Sequence, residues 1–156
     1  MLRSPSTHIT ASPRRVDPFK MRTDGGRKTV IVIYGNREHL DPIKARLSDV
    51  IHACMQTTLG LPEGKRAHRF IPMDADDFYR PEGRTEAYTV IEINMMKGRR
   101  PETQKALIHT LFSEIEKTLK IDPVDIEITI HEQPDHCWGF RGMTGDEAKL
   151  DYKVKV

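Results

Sequence analysis

The chain has 156 residues, of which 31% are charged and 37% hydrophobic, and its formal net charge is +2. This length predicts one domain, and this balance of charged and apolar residues is typical of a soluble globular protein. The small net charge does not indicate a nucleic-acid partner, and no apolar run approaches the roughly 18 residues that a membrane span needs. Two cysteines do not make a disulfide framework, so we expect free thiols and a cytoplasmic protein.

Residues 1–27 are rich in Ser, Thr, Pro, Arg and Gly and show no hydrophobic period. We predict that they form a disordered tail ahead of a single domain at 28–156. The arginine-rich, acid-poor beginning faintly resembles a transit peptide, although its prolines disfavour an amphipathic helix.

The first predicted unit, residues 28–87, contains a strand, a helix and a second strand. The β-branched run at 28–35 predicts a strand covered on both faces. We expect Asp41 to cap the following helix, with Pro42 at its first position, where a missing N–H costs nothing. The run at 68–73 predicts an edge strand, because its proline cannot donate a ladder hydrogen bond.

The second predicted unit, residues 88–156, follows the same plan. A strand at 90–95 leads to a helix that begins at Pro101. Isoleucines alternate with polar residues at 126–130 and predict a half-buried strand. A short alternating segment at 152–156 predicts a last strand.

The two units are in the same register, sixty positions apart, since "TVIVIYGNREHL" begins at Thr29 and "TVIEINMMKGRR" at Thr89. The apolar stripes of the two helices stay in phase at the same offset: Leu47, Ile51, Met55 and Leu59 fall on Leu107, Leu111, Ile115 and Leu119. A period this long predicts a duplicated β-α-β unit, with a chance likeness of two amphipathic helices as the alternative.

Two β-α-β units predict an α+β fold with a four-stranded sheet and two helices on one face. Within each unit the two strands are expected to be parallel, with a right-handed crossover. The remaining sequence offers nothing to cover the second sheet face, so we expect self-association.

A basic loop connects the first strand of the second unit to the helix of that unit. It contains Lys97, Gly98, Arg99 and Arg100. Helix N-termini favour anions, and an arginine can hold a carboxylate through two parallel hydrogen bonds. The loop is therefore a candidate carboxylate site, and the alternative is a solvated charged turn.

Aromatic and sulfur-containing residues near the C-terminus leave two further interpretations open. Trp138 and Phe140 could wall an apolar pocket or belong to the core. Cys137 lies near His131 and His136, but a zinc site needs more ligands at regular spacing, so we predict no metal.

The strand before "KGRRPETQKALI", the sixty-residue repeat and the "WGF" segment together resemble the tautomerase superfamily. The likeness is to its branch of two fused β-α-β units, which includes malonate semialdehyde decarboxylase-like proteins, and it covers about residues 29–145. The resemblance implies a homotrimer with sites near subunit interfaces. It also implies tautomerase or decarboxylase chemistry on a small 2-oxo or β-oxo carboxylic acid, without a cofactor.

The resemblance implies roles for four residues. The superfamily's carboxylate-binding arginine falls on Arg99, and a second arginine of the decarboxylases falls on Lys97, where lysine keeps the charge but loses the bidentate fork. The apolar wall of the decarboxylase-like pocket falls on Trp138 and Phe140.

The chain departs from the superfamily at its catalytic base. The amino-terminal proline falls on Thr29, whose nitrogen is an amide because Lys28 precedes it. An aspartate of the decarboxylases falls on Lys65, and an arginine of the first unit falls on His39. If the protein is an enzyme, its replacement base is expected to be His39, then Lys28, then Lys65. The alternative is a non-catalytic member that binds a carboxylate or only assembles.

Overall fold

The computed structural model describes residues 28–148. The predicted disordered tail at 1–27 and the predicted strand at 152–156 lie outside the described residues.

Each of the two units folds as strand, helix and strand. The first contains strand β1, helix α1 and strand β2, and the second contains strand β3, helix α2 and strand β4. A small hairpin, β5 and β6, follows. The first unit has β1 at Thr29–Asn36, α1 at Arg37–Leu59 and β2 at His68–Met73. The second has β3 at Thr89–Met96, α2 at Pro101–Leu119 and β4 at Ile126–Gln133. In the hairpin, β5 is Gly139–Phe140 and β6 is Met143–Thr144.

The main sheet has four strands in the order β2-β1-β3-β4. Strand β1 is parallel to β2, β3 is parallel to β4, and the two central strands are antiparallel. The proline-containing strand β2 lies at an edge. The predicted α+β fold of duplicated β-α-β units is confirmed.

The pairing of the two central strands reflects the sixty-residue repeat. Val32 pairs with Glu92, its own counterpart sixty positions on. Thr29 pairs with Met95, and the equivalent pair, Gly35 with Thr89, lies at the other end of the ladder. The two units are therefore related by an approximate twofold axis through the Val32–Glu92 pair, and the sheet has two equivalent ends.

The hydrophobic core lies between the sheet and the two helices. Its strand residues are Ile31, Ile33, Ile91 and Ile93, and its helix residues include Leu47, Ile51, Leu107 and Leu111, all almost fully buried. Burying one such side chain contributes about 1.5–3 kcal/mol relative to leaving it in water. Cys54 is buried in this core.

The predicted start of α1 is wrong by five residues. The helix begins at Arg37, and Asn36 rather than Asp41 caps it by accepting a hydrogen bond from the backbone N–H two residues on, at 3.2 Å. Pro42 consequently lies inside the helix. The additional turn buries Leu40 completely, which favours the earlier start.

The described residues cover the second face of the sheet only in part. Val32, Tyr34 and Val90 are half-buried there, and Ile71 is 41% exposed. Neither α1 nor α2 has the length and apolar character of a membrane-crossing helix.

Candidate functional site

One end of the sheet brings together the start of β1 and the ends of β3 and β4. The N–H of Met96 donates to the carbonyl of Lys28 at 2.9 Å, and the N–H of Lys97 donates to the carbonyl of Gln133 at 2.8 Å. These backbone bonds hold the start of the basic loop beside the first residue of β1. We call this end of the sheet the Thr29 edge.

The basic loop keeps its irregular shape because Gly98 has φ 135°, a value that L side chains rarely adopt. Arg99 is half-buried, whereas Lys97 and Arg100 are exposed. Helix α2 starts at Pro101, and no side-chain hydrogen bond caps its N-terminus. The loop thus presents basic side chains next to a helix end that carries partial positive charge.

The two predicted wall aromatics lie in different settings. The indole N–H of Trp138 donates to the carbonyl of Gln133 at 3.3 Å, the same carbonyl that anchors the basic loop. Phe140 lies under the guanidinium of Arg141, 5.2 Å from its ring centre. It also lines an open recess of about 340 Å³ with Gly139, Gly142, Met143, Thr144 and Glu147.

A narrow niche lies under the start of β1, between the sheet and α1. Its polar residues are Thr29, His52, Lys65 and His68, and its apolar residues are Ile31, Met55, Leu61 and Ala67. The space between these atoms amounts to about 170 Å³. It leaves no room for a water molecule.

Two buried polar atoms of the niche have no hydrogen-bond partner among residues 28–148. They are Thr29 Oγ1 and His52 Nδ1. His52 Nε2 lies 2.9 Å from the carbonyl oxygen of Glu63. Because a carbonyl only accepts, Nε2 carries the proton and Nδ1 presents a lone pair.

Comparison with known proteins supports this arrangement of elements. Residues 65–141 match the family model described as "Tautomerase enzyme". This segment of the chain, 77 of its 156 residues, is therefore similar to the tautomerase family. The matched segment includes the basic loop, Trp138 and Phe140.

Several solved structures share this fold. Malonate semialdehyde decarboxylase has 18% identity and a TM-score of 0.69, with 80% of this chain and 98% of that chain covered. A fused 4-OT, described as an asymmetric trimer, has 21% identity and a TM-score of 0.68 over 76% and 98%. N1, of the cis-3-chloroacrylic acid dehalogenase family, has 15% identity and a TM-score of 0.67 over 81% and 92%.

The fold places His39 away from Thr29 within one subunit. His39 follows the C-terminal end of β1, whereas Thr29 begins this strand of 8 residues. At about 3.3 Å per residue the two ends of this strand are separated by roughly 23 Å. Burial lowers the pKa of His39, and the charge of Asp125 opposes that change in part. The structure therefore does not bring the first-choice base to Thr29 in the single chain.

The niche contains two histidines that the sequence analysis did not select. His68 begins β2, and its Nδ1 lies 2.8 Å from Ser48 Oγ. Burial, with smaller effects of the charges on Arg66 and His52, lowers the pKa of His68 to about 4. The sequence shows a histidine in the predicted helix that follows β1 and another in the predicted strand after that helix. This pattern does not reveal that the two rings share one niche.

Proposed function

We propose that the chain binds a small 2-oxo or β-oxo carboxylic acid at the Thr29 edge. The observation that carries this proposal is the backbone ladder at that edge, which holds the basic loop beside the start of β1. Two cationic residues then directly precede a helix N-terminus without a side-chain cap, where a carboxylate is favoured over a neutral ligand.

Each basic residue has a distinct part in the proposed site. Arg99 is half-buried and supplies the planar fork that fits a carboxylate through two hydrogen bonds. Lys97 is exposed and supplies a mobile point charge. Trp138 and Phe140 provide apolar surface for the rest of the acid, and no cofactor takes part in the proposal.

Tautomerase or decarboxylase chemistry at this edge requires a base other than residue 29. The nitrogen of Thr29 belongs to the peptide bond with Lys28, so it cannot take up a proton. Of the candidate replacements, Lys65 lies in the niche with Thr29, and Lys28 is exposed at the same edge. His39 would have to act from another subunit.

The alternative function is binding or assembly without turnover. The amide nitrogen of Thr29 favours it, because the loss of a basic amine at this position removes general-base catalysis but leaves carboxylate binding intact. General-base catalysis contributes typically about 10²–10⁴-fold. Turnover of enol or β-oxo acids by the purified protein distinguishes the two functions.

A homotrimer in a reducing cytoplasm completes the proposal. The fused 4-OT structures are described as trimers, and the half-covered second sheet face of this chain would be buried by such an assembly. Cys54 and Cys137 are free thiols, and a reducing compartment would keep them in that state.

Ligand-dependent melting tests the proposed carboxylate site. We expect 2-oxo acids to raise the melting temperature, because a ligand at a hundredfold excess over Kd stabilises the folded state by about 2.7 kcal/mol. Arg99→Ala should remove the effect. Arg100→Ala is the matched control, since it deletes the same charge from an exposed neighbour and should keep most of the effect. Equal loss in both variants would indicate only nonspecific charge attraction.

A further inference from the structure

We propose that Ser48, His52 and His68 form an acid-sensitive latch, which holds the connection between α1 and β2 against α1 and releases it when His68 takes up a proton. Residues 60–67 make up this connection, and we call it the α1–β2 connection. None of the three latch residues belongs to the proposed carboxylate site, so the inference stands apart from the proposed function.

The two histidines attach the α1–β2 connection to α1 at two points. His52 lies on α1, is 2% exposed, and donates from Nε2 to the carbonyl of Glu63 at 2.9 Å. His68 directly follows the connection, and its Nδ1 lies 2.8 Å from Ser48 Oγ, one helical turn before His52. The two rings meet edge to face with their centres 6.1 Å apart. The connection is therefore held by one bond in its middle and one at its end.

The directions of these hydrogen bonds require a neutral His68. Arg66 Nη1 lies 3.5 Å from Ser48 Oγ, and a guanidinium only donates, so the Ser48 oxygen accepts from it. The hydroxyl hydrogen of Ser48 is then directed to His68 Nδ1, which accepts with its lone pair. A proton on this nitrogen removes the acceptor and leaves the Ser48 oxygen facing two cationic donors.

The charges around His68 also oppose a proton on its ring. The α1–β2 connection contributes Arg66 and Lys65, and Lys65 lines the same niche as His68. Helix α1 contributes the Asp49 carboxylate, which already accepts from Arg66 at 2.6 Å. Strand β1 contributes the uncharged hydroxyl of Thr29. The remaining walls are apolar and consist of Ile31, Met55, Leu61 and Ala67. An imidazolium in this setting would be poorly solvated and poorly paired.

The closed latch therefore becomes weaker as the pH falls. Burial, with smaller effects of the charges on Arg66 and His52, lowers the pKa of His68 to about 4, whereas a ring released into water has the ordinary value of 6.5. The open state binds the proton more tightly, so the latch is fully closed above about pH 6.5 and loses stability below it. The equilibrium constant for opening should be about thirtyfold larger at pH 5 than at pH 7.5.

Release of the connection changes the surroundings of Thr29. The Ile31 N–H donates to the carbonyl of Ala67 at 2.9 Å, and the Lys65 N–H donates to the carbonyl of Pro62 at 3.0 Å. Both bonds depend on the position of the connection, so both amides report its opening. The closed niche leaves no room for a water molecule, and opening admits water to it.

Amide hydrogen exchange of the full chain, followed by NMR at pH 7.5 and pH 5, tests the proposal. After correction for the intrinsic pH dependence of exchange, the protection of the Ile31 and Lys65 amides should fall about thirtyfold. Because the opening is local, their exchange should depend only weakly on low concentrations of urea. The amide of the fully buried Ile93 should instead show the steep urea dependence of global unfolding. The same steep dependence at Ile31 and Lys65 would refute the latch.

His68→Gln identifies the group that takes up the proton. Glutamine stays neutral over this pH range, so the pH dependence of protection at Ile31 and Lys65 should disappear. His131→Gln is the matched control, because His131 is exposed on β4, and it should keep the thirtyfold change. An undiminished change in His68→Gln would assign it to other groups and overturn the proposal.

An NMR titration of the His68 ring in the parent chain needs no variant. We expect its midpoint near pH 4, because the closed latch excludes the proton. A midpoint near 6.5 would mean that the ring takes up a proton without opening the connection, and the latch would be refuted.

Discussion

Lys65 and Asp125 stand sixty positions apart and occupy equivalent places in the two units. Asp125 is 3% exposed, and its carboxylate accepts from the backbone N–H and the hydroxyl of Thr85 at 2.7 and 2.6 Å. Lys65 instead lies half-buried at the mouth of the niche. In the second unit, Asp125 anchors the connecting segment that contains Thr85. In the first unit, the equivalent Lys65 lines the niche.

Thr29 and Thr89 show a similar contrast between the units. Thr89 donates its hydroxyl hydrogen to the carbonyl of Ala87 at 2.8 Å. Thr29 Oγ1 is buried without a partner among residues 28–148. An unsatisfied buried hydroxyl costs about 1–3 kcal/mol of stability. The Thr29 position is therefore less favourable for folding than the equivalent Thr89 position in the second unit.

The pKa of His68 predicts a loss of stability in mild acid. Its pKa is about 4 in the folded chain, whereas the ordinary value for histidine is 6.5. The folded state therefore binds the proton less well than the unfolded state. The contribution of the neutral His68 ring to the free energy of unfolding is therefore complete above about pH 6.5, and it decreases as the pH falls towards 4. Its full size is on the order of 3 kcal/mol, because each pKa unit corresponds to about 1.4 kcal/mol.

Urea unfolding across this pH range measures the effect. The free energy of unfolding of His68→Gln should depend less on pH than that of the parent chain. His136→Gln is the control, because its side chain is 67% exposed. The same steep dependence in His68→Gln and the parent would assign it to other groups.

At the scale of elements, the equivalent segments "REHL" and "KGRR" adopt different structures. Residues 37–40 form the first turn of α1, whereas residues 97–100 form the basic loop. Gly98 has a φ that no helix permits, and Leu40 gains full burial as helix. The first unit consequently has no anion-binding loop, and His39 lies on a helix.

Pro42 should destabilise α1, because the earlier helix start places it inside the helix. An interior proline removes a hydrogen bond and costs about 3 kcal/mol. It also restricts the unfolded chain, which offsets about 0.4–1 kcal/mol, and it lies near the helix start, where bending is easier. We therefore expect Pro42→Ala to stabilise the protein by about 1 kcal/mol.

Equilibrium unfolding in urea checks this expectation, with Pro101→Ala as the matched control. Pro101 occupies the first position of α2, where proline is favourable, so its replacement should be neutral or slightly destabilising. Stabilisation of the same size in both variants would mean that the position of the proline within the helix is irrelevant.

At the scale of the whole molecule, the two sheet faces differ in how completely the chain buries them. The helices cover one face, and Val32 at the approximate twofold axis lies half-buried on the other. Beside it, the Tyr34 hydroxyl donates to the Glu92 carboxylate at 3.2 Å. A mixed polar and apolar face of this kind suits contact with further copies of the chain.

We expect Val32→Lys to dissociate the proposed trimer, because it places a charge at the centre of the face that association would bury. Sedimentation equilibrium at micromolar concentration gives the oligomeric state directly. Glu116→Lys is the control, since Glu116 is exposed on α2. A parent chain that sediments as a monomer would contradict the proposed assembly.

The amino-acid sequence by itself determined the elements that depend on local patterns. The β-branched runs of β1 and β3, the period of the helix stripes and the proline in β2 predicted the strands, the helices and the sheet edge. The sixty-residue offset predicted the duplicated unit. These features follow from neighbouring residues along the chain, so no tertiary information is needed to find them.

Only the tertiary structure decided where α1 begins and which residues share the niche. Asp41 and Pro42 predict a later helix start from local sequence. The cap at Asn36 and the burial of Leu40 together favour the earlier start in the folded chain. His52 and Lys65 meet Thr29 because a parallel strand pair and a crossover helix bring distant segments together. Such contacts depend on register and packing between segments, which local sequence patterns do not encode.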